Sequence, residues 1–130
     1  MNYNEKIISS ELQIREAIRV LISKNTKTLF IKENNKIIGV FTEGDFRKAI
    51  LKGIDINNKI KFIVNKKFTY LKEKYNKAKI IKVLKKNPLI QDLPVLNKDK
   101  SIKDIISRNN FLDKKINKYK NIDIVIMAGG

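Results

Sequence analysis

Apolar residues in this chain fall into short clusters that alternate between strand spacing and helix spacing, and the alternation runs twice. Ile7 and Ile8 predict a short strand. Ser10 followed by Gln13 reads as a capping box, and Ile14, Ala17, Ile18, Leu21 and Ile22 share one face of the helix it would open. Thr28 to Lys32 reads as an apolar strand and Glu33 to Lys36 as a turn whose two Asn residues tolerate positive φ. Ile37 to Phe41 then returns antiparallel. Gly39 inside the returning strand predicts a bulge or the close approach of another segment. A helix over Glu43 to Lys52 turns Phe46, Ala49 and Ile50 toward the core, and Gly53 ends it.

Ile54 to Lys67 is a connector that carries Ile60, Phe62, Ile63 and Val64 among lysines and opens the second unit. Phe68 to Leu71 predicts a strand. Asn76 to Lys86 predicts a helix with Ile80, Ile81 and Leu84 as its buried stripe, and Pro88 stops it. Leu93 to Asn97, a turn at Lys98 to Lys100, and Ser101 to Ile106 repeat the hairpin, and a last helix runs from Arg108 to about Lys120. Pro94 implies an edge position or a gap in the ladder.

The two passes align. At an offset of 65 residues Phe30 and Ile31 fall on Val95 and Leu96, Val40 and Phe41 on Ile105 and Ile106, Thr42 on Ser107, Asp45 on Asn110, and Phe46 on Phe111. Upstream the better offset is 63, which places about two extra residues near Pro88 to Asp92. A loop absorbs an insertion of that size. The expected division is repeat one over 1–56, repeat two over 57–120, and a distinct segment over 121–130, in an α+β fold built from two β-α-β-β-α units.

Composition then narrows the chemistry. The chain of 130 residues is 42% hydrophobic, enough for one core shared by two lobes. Cysteine and histidine are both absent, which removes disulfides, thiolate nucleophiles, imidazole bases and the usual zinc ligands. No catalytic or metal-binding set is expected. No stretch approaches the length of a membrane span and MNYNEKIISS lacks a signal-peptide core, so a cytoplasmic location is expected. The net charge of +16 suggests nucleic acid, but 25 of the 29 basic residues are Lys, and base and phosphate recognition favours the Arg fork. The densest run, Lys59 to Lys86, holds eleven Lys against Glu73 alone. It reads as a solvated basic face, with attraction of an acidic partner or phosphates as the alternative.

The twice-repeated unit, with IIGVFTEGDF and LFIKENNK in the first copy and LPVLNKDK and IISRNNF in the second, resembles the CBS domain, and the tandem resembles a CBS pair. The resemblance spans roughly residues 7–118. It implies a pseudo-twofold pair whose sheets pack together and leave two clefts. It also implies binding of AMP, ADP, ATP or S-adenosylmethionine, regulation of an attached enzyme, and assembly as a homodimer.

A ligand site fits the strand-to-helix corners. A Thr hydroxyl at a helix start can join backbone N–H groups around phosphate, and a carboxylate one turn on can accept from ribose hydroxyls. Thr42 and Asp45 supply these groups in the first copy, with Arg47 or Lys48 in reach of phosphate. The same pair is also a simple capping box. At the second corner Ser107 keeps a hydroxyl, Arg108 a cation, and Asn110 stands in place of the carboxylate. Asp104 replaces a glycine and can crowd the cleft, so a structural cap is the expected role there.

Ile122 to Gly130, IDIVIMAGG, breaks the repeat. An apolar run leading into Gly-Gly reads as a buried first strand and the start of a phosphate-approaching loop. It resembles the opening of the sugar-nucleotide nucleotidyltransferases, which implies a regulatory module attached to such an enzyme, with no transferase activity in residues 1–130 themselves. The competing readings are a ligand-free oligomerisation module and a nucleic-acid-binding basic domain.

Overall fold

The structure is a computed structural model, and residues 3–111 are described. A 3-10 turn (Tyr3–Lys6) leads into β1 (Ile7–Ser9), α1 (Ile14–Ser23), β2 (Thr28–Glu33), β3 (Lys36–Thr42) and α2 (Glu43–Leu51). A second 3-10 turn (Ile60–Phe62) precedes β4 (Leu71–Lys72), α3 (Lys77–Lys86), β5 (Asp92–Leu96) and β6 (Ile102–Ser107). Arg108–Phe111 is the first turn of the last expected helix; its remainder and the IDIVIMAGG strand lie outside the described residues.

The strands form two three-stranded sheets of identical plan, β1-β2-β3 and β4-β5-β6, each with one parallel and one antiparallel pairing. This is the expected α+β pair of β-α-β-β-α units. Asn34 and Asn35 take φ of 52° and 62° in the first hairpin turn, and Gly53 takes 71° just past α2, a left-handed conformation that favours glycine.

Register corrects the internal alignment. Phe30 pairs with Val40 as Pro94 pairs with Ile105, and Ile31 with Gly39 as Val95 with Asp104. Strands β2 and β5 therefore correspond at an offset of 64, while α1 and α3 correspond at 63 and β3 and β6 at 65. One extra residue lies before β5 and the other in the second hairpin turn. The unbroken burial of β5 hid its parity, since period-two alternation is legible only where one face meets water.

Two further expectations change, and a third is narrowed. The N-cap of α1 is Gln13, whose backbone N–H donates to Glu16 Oε1 at 3.4 Å, and not Ser10. Ser10 extends the β1–β2 pairing through its N–H to the Lys32 carbonyl, and its buried hydroxyl donates to Glu33 Oε1 at 3.0 Å. The strand expected over Phe68 to Leu71 contracts to Leu71–Lys72. Of the two alternatives for Pro94 the ladder gap holds and the edge position does not: Pro94 lies in the central strand, and the β4 ladder begins only at Val95, so no neighbouring acceptor needs the N–H that proline lacks.

Each lobe has its own core. Ile14, Ala17 and Leu21 of α1 meet Leu29, Ile31 and Phe41 in the first; Ile80 and Leu84 of α3 meet Leu71, Leu93 and Val95 in the second. The connector joins the first core: Ile60 is fully buried and Ile54, Ile56, Ile63 and Val64 pack beside it. A third cluster, Phe30, Ile37 and Leu96 with Val40, Phe68 and Ile105 alongside, binds the two sheets together. The Ile37 N–H also donates to the Lys100 carbonyl at 2.9 Å across this seam. Gly39 meets both of its expectations. The ladder shifts opposite it, between Ile31 and Lys32, and an added Cβ would stand 2.5 Å from the Asn65 carbonyl oxygen and from Val64 Cγ2.

Candidate functional site

Where the start of β5 comes up to the start of β2, the lobes leave a cleft of about 280 Å³. The first lobe contributes Thr28 and Phe30 from β2 and Val40 and Thr42 from β3; the approach to β4 contributes Asn65, Lys67, Phe68 and Thr69; the second lobe contributes Ile90 to Asp92 and Pro94. Phe30, Val40 and Phe68 also belong to the apolar seam, so the floor of the cleft is the top of the inter-sheet core. The lining mixes apolar Phe30, Val40, Phe68 and Pro94 with polar Thr28, Thr42, Lys67, Thr69 and Asp92.

Thr42 caps α2. Its Oγ1 accepts from the Asp45 N–H at 3.1 Å, and Asp45 Oδ2 accepts from the Thr42 N–H at 2.9 Å and from its hydroxyl at 3.0 Å. The capping box is complete in both directions, which fixes the half-buried carboxylate in one rotamer. Asp45 Oδ1 carries none of these bonds, and Asp45 is not among the residues that line the cleft.

The other expected residues are distributed differently. Arg47 is exposed, lies 4.0 Å from Glu43, and lines an outer groove between α1 and α2, not the cleft; Lys48 is exposed on the same helix. Arg108 is a structural cap. Its Nε donates to the Ile90 carbonyl at 2.6 Å and its guanidinium to the carbonyls of Leu84 and Asn87 at 2.9 and 2.6 Å, which satisfies the end of α3. Ser107 Oγ accepts from the Asn110 N–H at a long 3.5 Å, while Asn110 is exposed. Asp104 turns its carboxylate onto the Ile105 N–H at 2.7 Å.

The corners also differ in what faces them. Thr42 pairs across the ladder with Thr28, whereas Ser107 pairs with Asp92, whose Oδ1 accepts from Lys6 Nζ at 2.9 Å. The residue opposite Ser107 is thus a carboxylate already engaged by an ammonium, and the same Asp92 lines the cleft beside Thr42. Sequence reasoning missed Lys67, Phe68 and Asp92. The repeat holds their signal, because Lys67 to Thr69 correspond to Asn4 to Lys6, the segment that reaches the opposite corner. Among the described residues, no helix is long and apolar enough to cross a membrane.

A family model described as the CBS domain matches residues 1–52. No curated protein sequence matches the chain. Solved structures do. OpuCA of Staphylococcus aureus is 18% identical with a TM-score of 0.70, covering 86% of this chain and 92% of its own. CBSX2 in complex with AMP is 17% identical with a TM-score of 0.72, covering 89% and 90%. The cytosolic domain of the Mg2+ channel MgtE in complex with ATP is 16% identical with a TM-score of 0.65, covering 82% and 43%. Likeness at these identities establishes the fold.

Proposed function

From a first lobe that matches the CBS domain and a chain folded as CBS pairs are, we propose a regulatory module that takes an adenine nucleotide into the cleft beside Thr42. The observation that carries this reading is the position of Thr42, the N-cap of α2, on the wall of an inter-lobe cleft whose floor is apolar. The adenine ring lies against Phe68 and Val40, the ribose hydroxyls reach beyond the lining to Asp45 Oδ1, and phosphate meets Lys67 and the amino end of α2. AMP and ATP in the two related structures are the ligands to try first, with ADP and S-adenosylmethionine beside them. The second corner, with Arg108 committed to α3 and Lys6 to Asp92, serves as structure.

In this proposal the module resides in the cytoplasm and IDIVIMAGG leads into an attached sugar-nucleotide nucleotidyltransferase. Coupling follows from different affinity of the ligand for two arrangements of the lobes. Titration calorimetry with the four ligands tests it, with Asp45→Ala weakening binding and Asn110→Ala leaving it unchanged. Absence of binding by all four at millimolar concentration ends the sensor reading.

A second reading, ligand-free assembly, is favoured by one feature. Ile22, 74% exposed on α1, lines with Leu21 and Phe46 the groove of about 540 Å³ between α1 and α2, and Leu51 of α2 is 86% exposed. Light scattering on the nucleotide-free protein tests for the homodimer; a monomer at all concentrations removes it.

A further inference from the structure

At the far end of β5 from the cleft, the second lobe has a concavity of about 490 Å³ lined by Tyr70, Lys72, Glu73, Lys74, Lys98 and Lys100. Strand pairing sets Lys72 against Leu96, immediately before the turn that carries Lys98 and Lys100, so the lysines converge from two strands and not from one charged run. Lys100 is held in place: its Nζ donates to the Tyr70 hydroxyl at 2.5 Å and stands 4.6 Å from the ring centroid. Lys72, Lys74 and Lys98 take part in none of the ion pairs among the described residues.

Lysine bias along the whole chain would decorate both lobes alike. The corresponding stretch of the first lobe, Ser9 to Glu11 and Lys32 to Asn35, instead carries one lysine against two glutamates. There Glu11 is bridged to Lys59 and Lys61, and Glu33 accepts from Ser10. At this place the two lobes of one plan differ: the first carries one lysine against two glutamates, while the second gathers four lysines around Glu73, with Asp99 in the turn between Lys98 and Lys100. We propose that the Tyr70 and Lys72–Lys100 concavity binds a small anion bearing adjacent phosphoryl groups. Such an anion satisfies several ammonium groups within one pocket, where a single carboxylate satisfies one. The site is separate from the adenine cleft and does not depend on it.

Calorimetry with inorganic tripolyphosphate, and separately with ATP, tests the proposal on the whole chain and on two double variants. Lys72→Gln/Lys98→Gln removes two lysines of the hollow; Lys82→Gln/Lys85→Gln removes the same charge from the exposed face of α3. All four side chains are exposed, so both variants keep the fold. The expected result is about a tenfold or greater loss of tripolyphosphate affinity in the first variant and less than about threefold in the second. ATP weakened in parallel identifies the ligand as a nucleotide's phosphate tail; ATP unaffected identifies it as the inorganic anion. Equal losses in the two variants, or no tripolyphosphate binding at millimolar concentration in low salt, overturn the proposal. So does a single-stranded oligonucleotide that displaces tripolyphosphate and is weakened equally by both variants, since that marks diffuse polymer attraction.

Discussion

Lys6 and Asp92, 86 residues apart, form a 2.9 Å ion pair whose side chains are 16% and 5% exposed. It ties the start of the first lobe to the start of β5. Little water is left to screen either charge, so removing one partner strands the other. Lys6→Met alone should cost about 3 kcal/mol, and Lys6→Met with Asp92→Leu should recover most of it. Urea denaturation of the two variants measures both values. A single variant as stable as the parent would show that water reaches the pair.

Gly39 is required by proximity and not by backbone angle. The bridge in which Val40 and Asn65 exchange two 3.0 Å bonds leaves no room for a Cβ. Gly39→Ala should destabilise the protein by about 1–3 kcal/mol, because the nearest obstacle is a backbone carbonyl. Gly44→Ala is the control, since its Cβ would sit 3.6 Å from Thr42 Oγ1, an ordinary contact, within a helix that favours alanine. Thermal unfolding should lower the midpoint for the first substitution and hold or raise it for the second.

Arg108 donates to three carbonyls at or beyond the end of α3, and a lysine cannot reproduce that fork. Arg108→Lys should cost about 2 kcal/mol through unmade charge-assisted bonds, without altering nucleotide affinity at the first corner. Denaturation and calorimetry on the same variant separate the effects. A large loss of nucleotide binding would return Arg108 to the ligand site.

Hydrogen bonds from Lys59 and then Lys61 hold the Glu11 carboxyl below its usual 4.5, and Glu11 in turn raises Lys61 above 10.5. A lowered carboxylate pKa adds stability that is present above the unfolded value and is lost as pH falls through the folded one. A raised lysine pKa adds stability that is present below 10.5 and is lost as pH rises through the folded value. Glu11→Gln should therefore flatten part of the stability profile below about pH 4.5 and be nearly silent in strong salt, as suits a solvent-exposed pair. Urea midpoints at about pH 3 and about pH 7, with and without added salt, check this. An unchanged acid slope would remove Glu11 from the account.

The sequence showed most of the fold because its lobes alternate with water on one side. The buried positions Ile14, Ala17 and Leu21 of α1 and Ile80 and Leu84 of α3, the Asn34–Asn35 turn and Gly53 are readable from spacing and turn chemistry, whereas Ile22, expected on the same stripe, is 74% exposed. The Thr42–Asp45 corner was readable too, since a capping box is local. Legibility failed where tertiary neighbours decide. Ser10 reads locally as a cap because nothing local shows that Glu33 will receive its hydroxyl. Arg108 is legible only as a cation at the second corner, because the carbonyls of Leu84, Asn87 and Ile90 reach it only through the fold. Lys67 and Phe68 gain meaning only when the segment before β4 is laid across the other lobe.

The seam of Phe30, Ile37 and Leu96 has a bearing on ancestry. These residues are 0%, 5% and 1% exposed only because each lobe covers the other's sheet. Either half made alone would present a greasy face to water and would have to find a second copy to remain in solution. Two halves of one plan, each covering the other's sheet, are what duplication and fusion of a self-pairing half would produce. Once joined, the faces no longer needed to match, and each crevice was free to acquire its own chemistry.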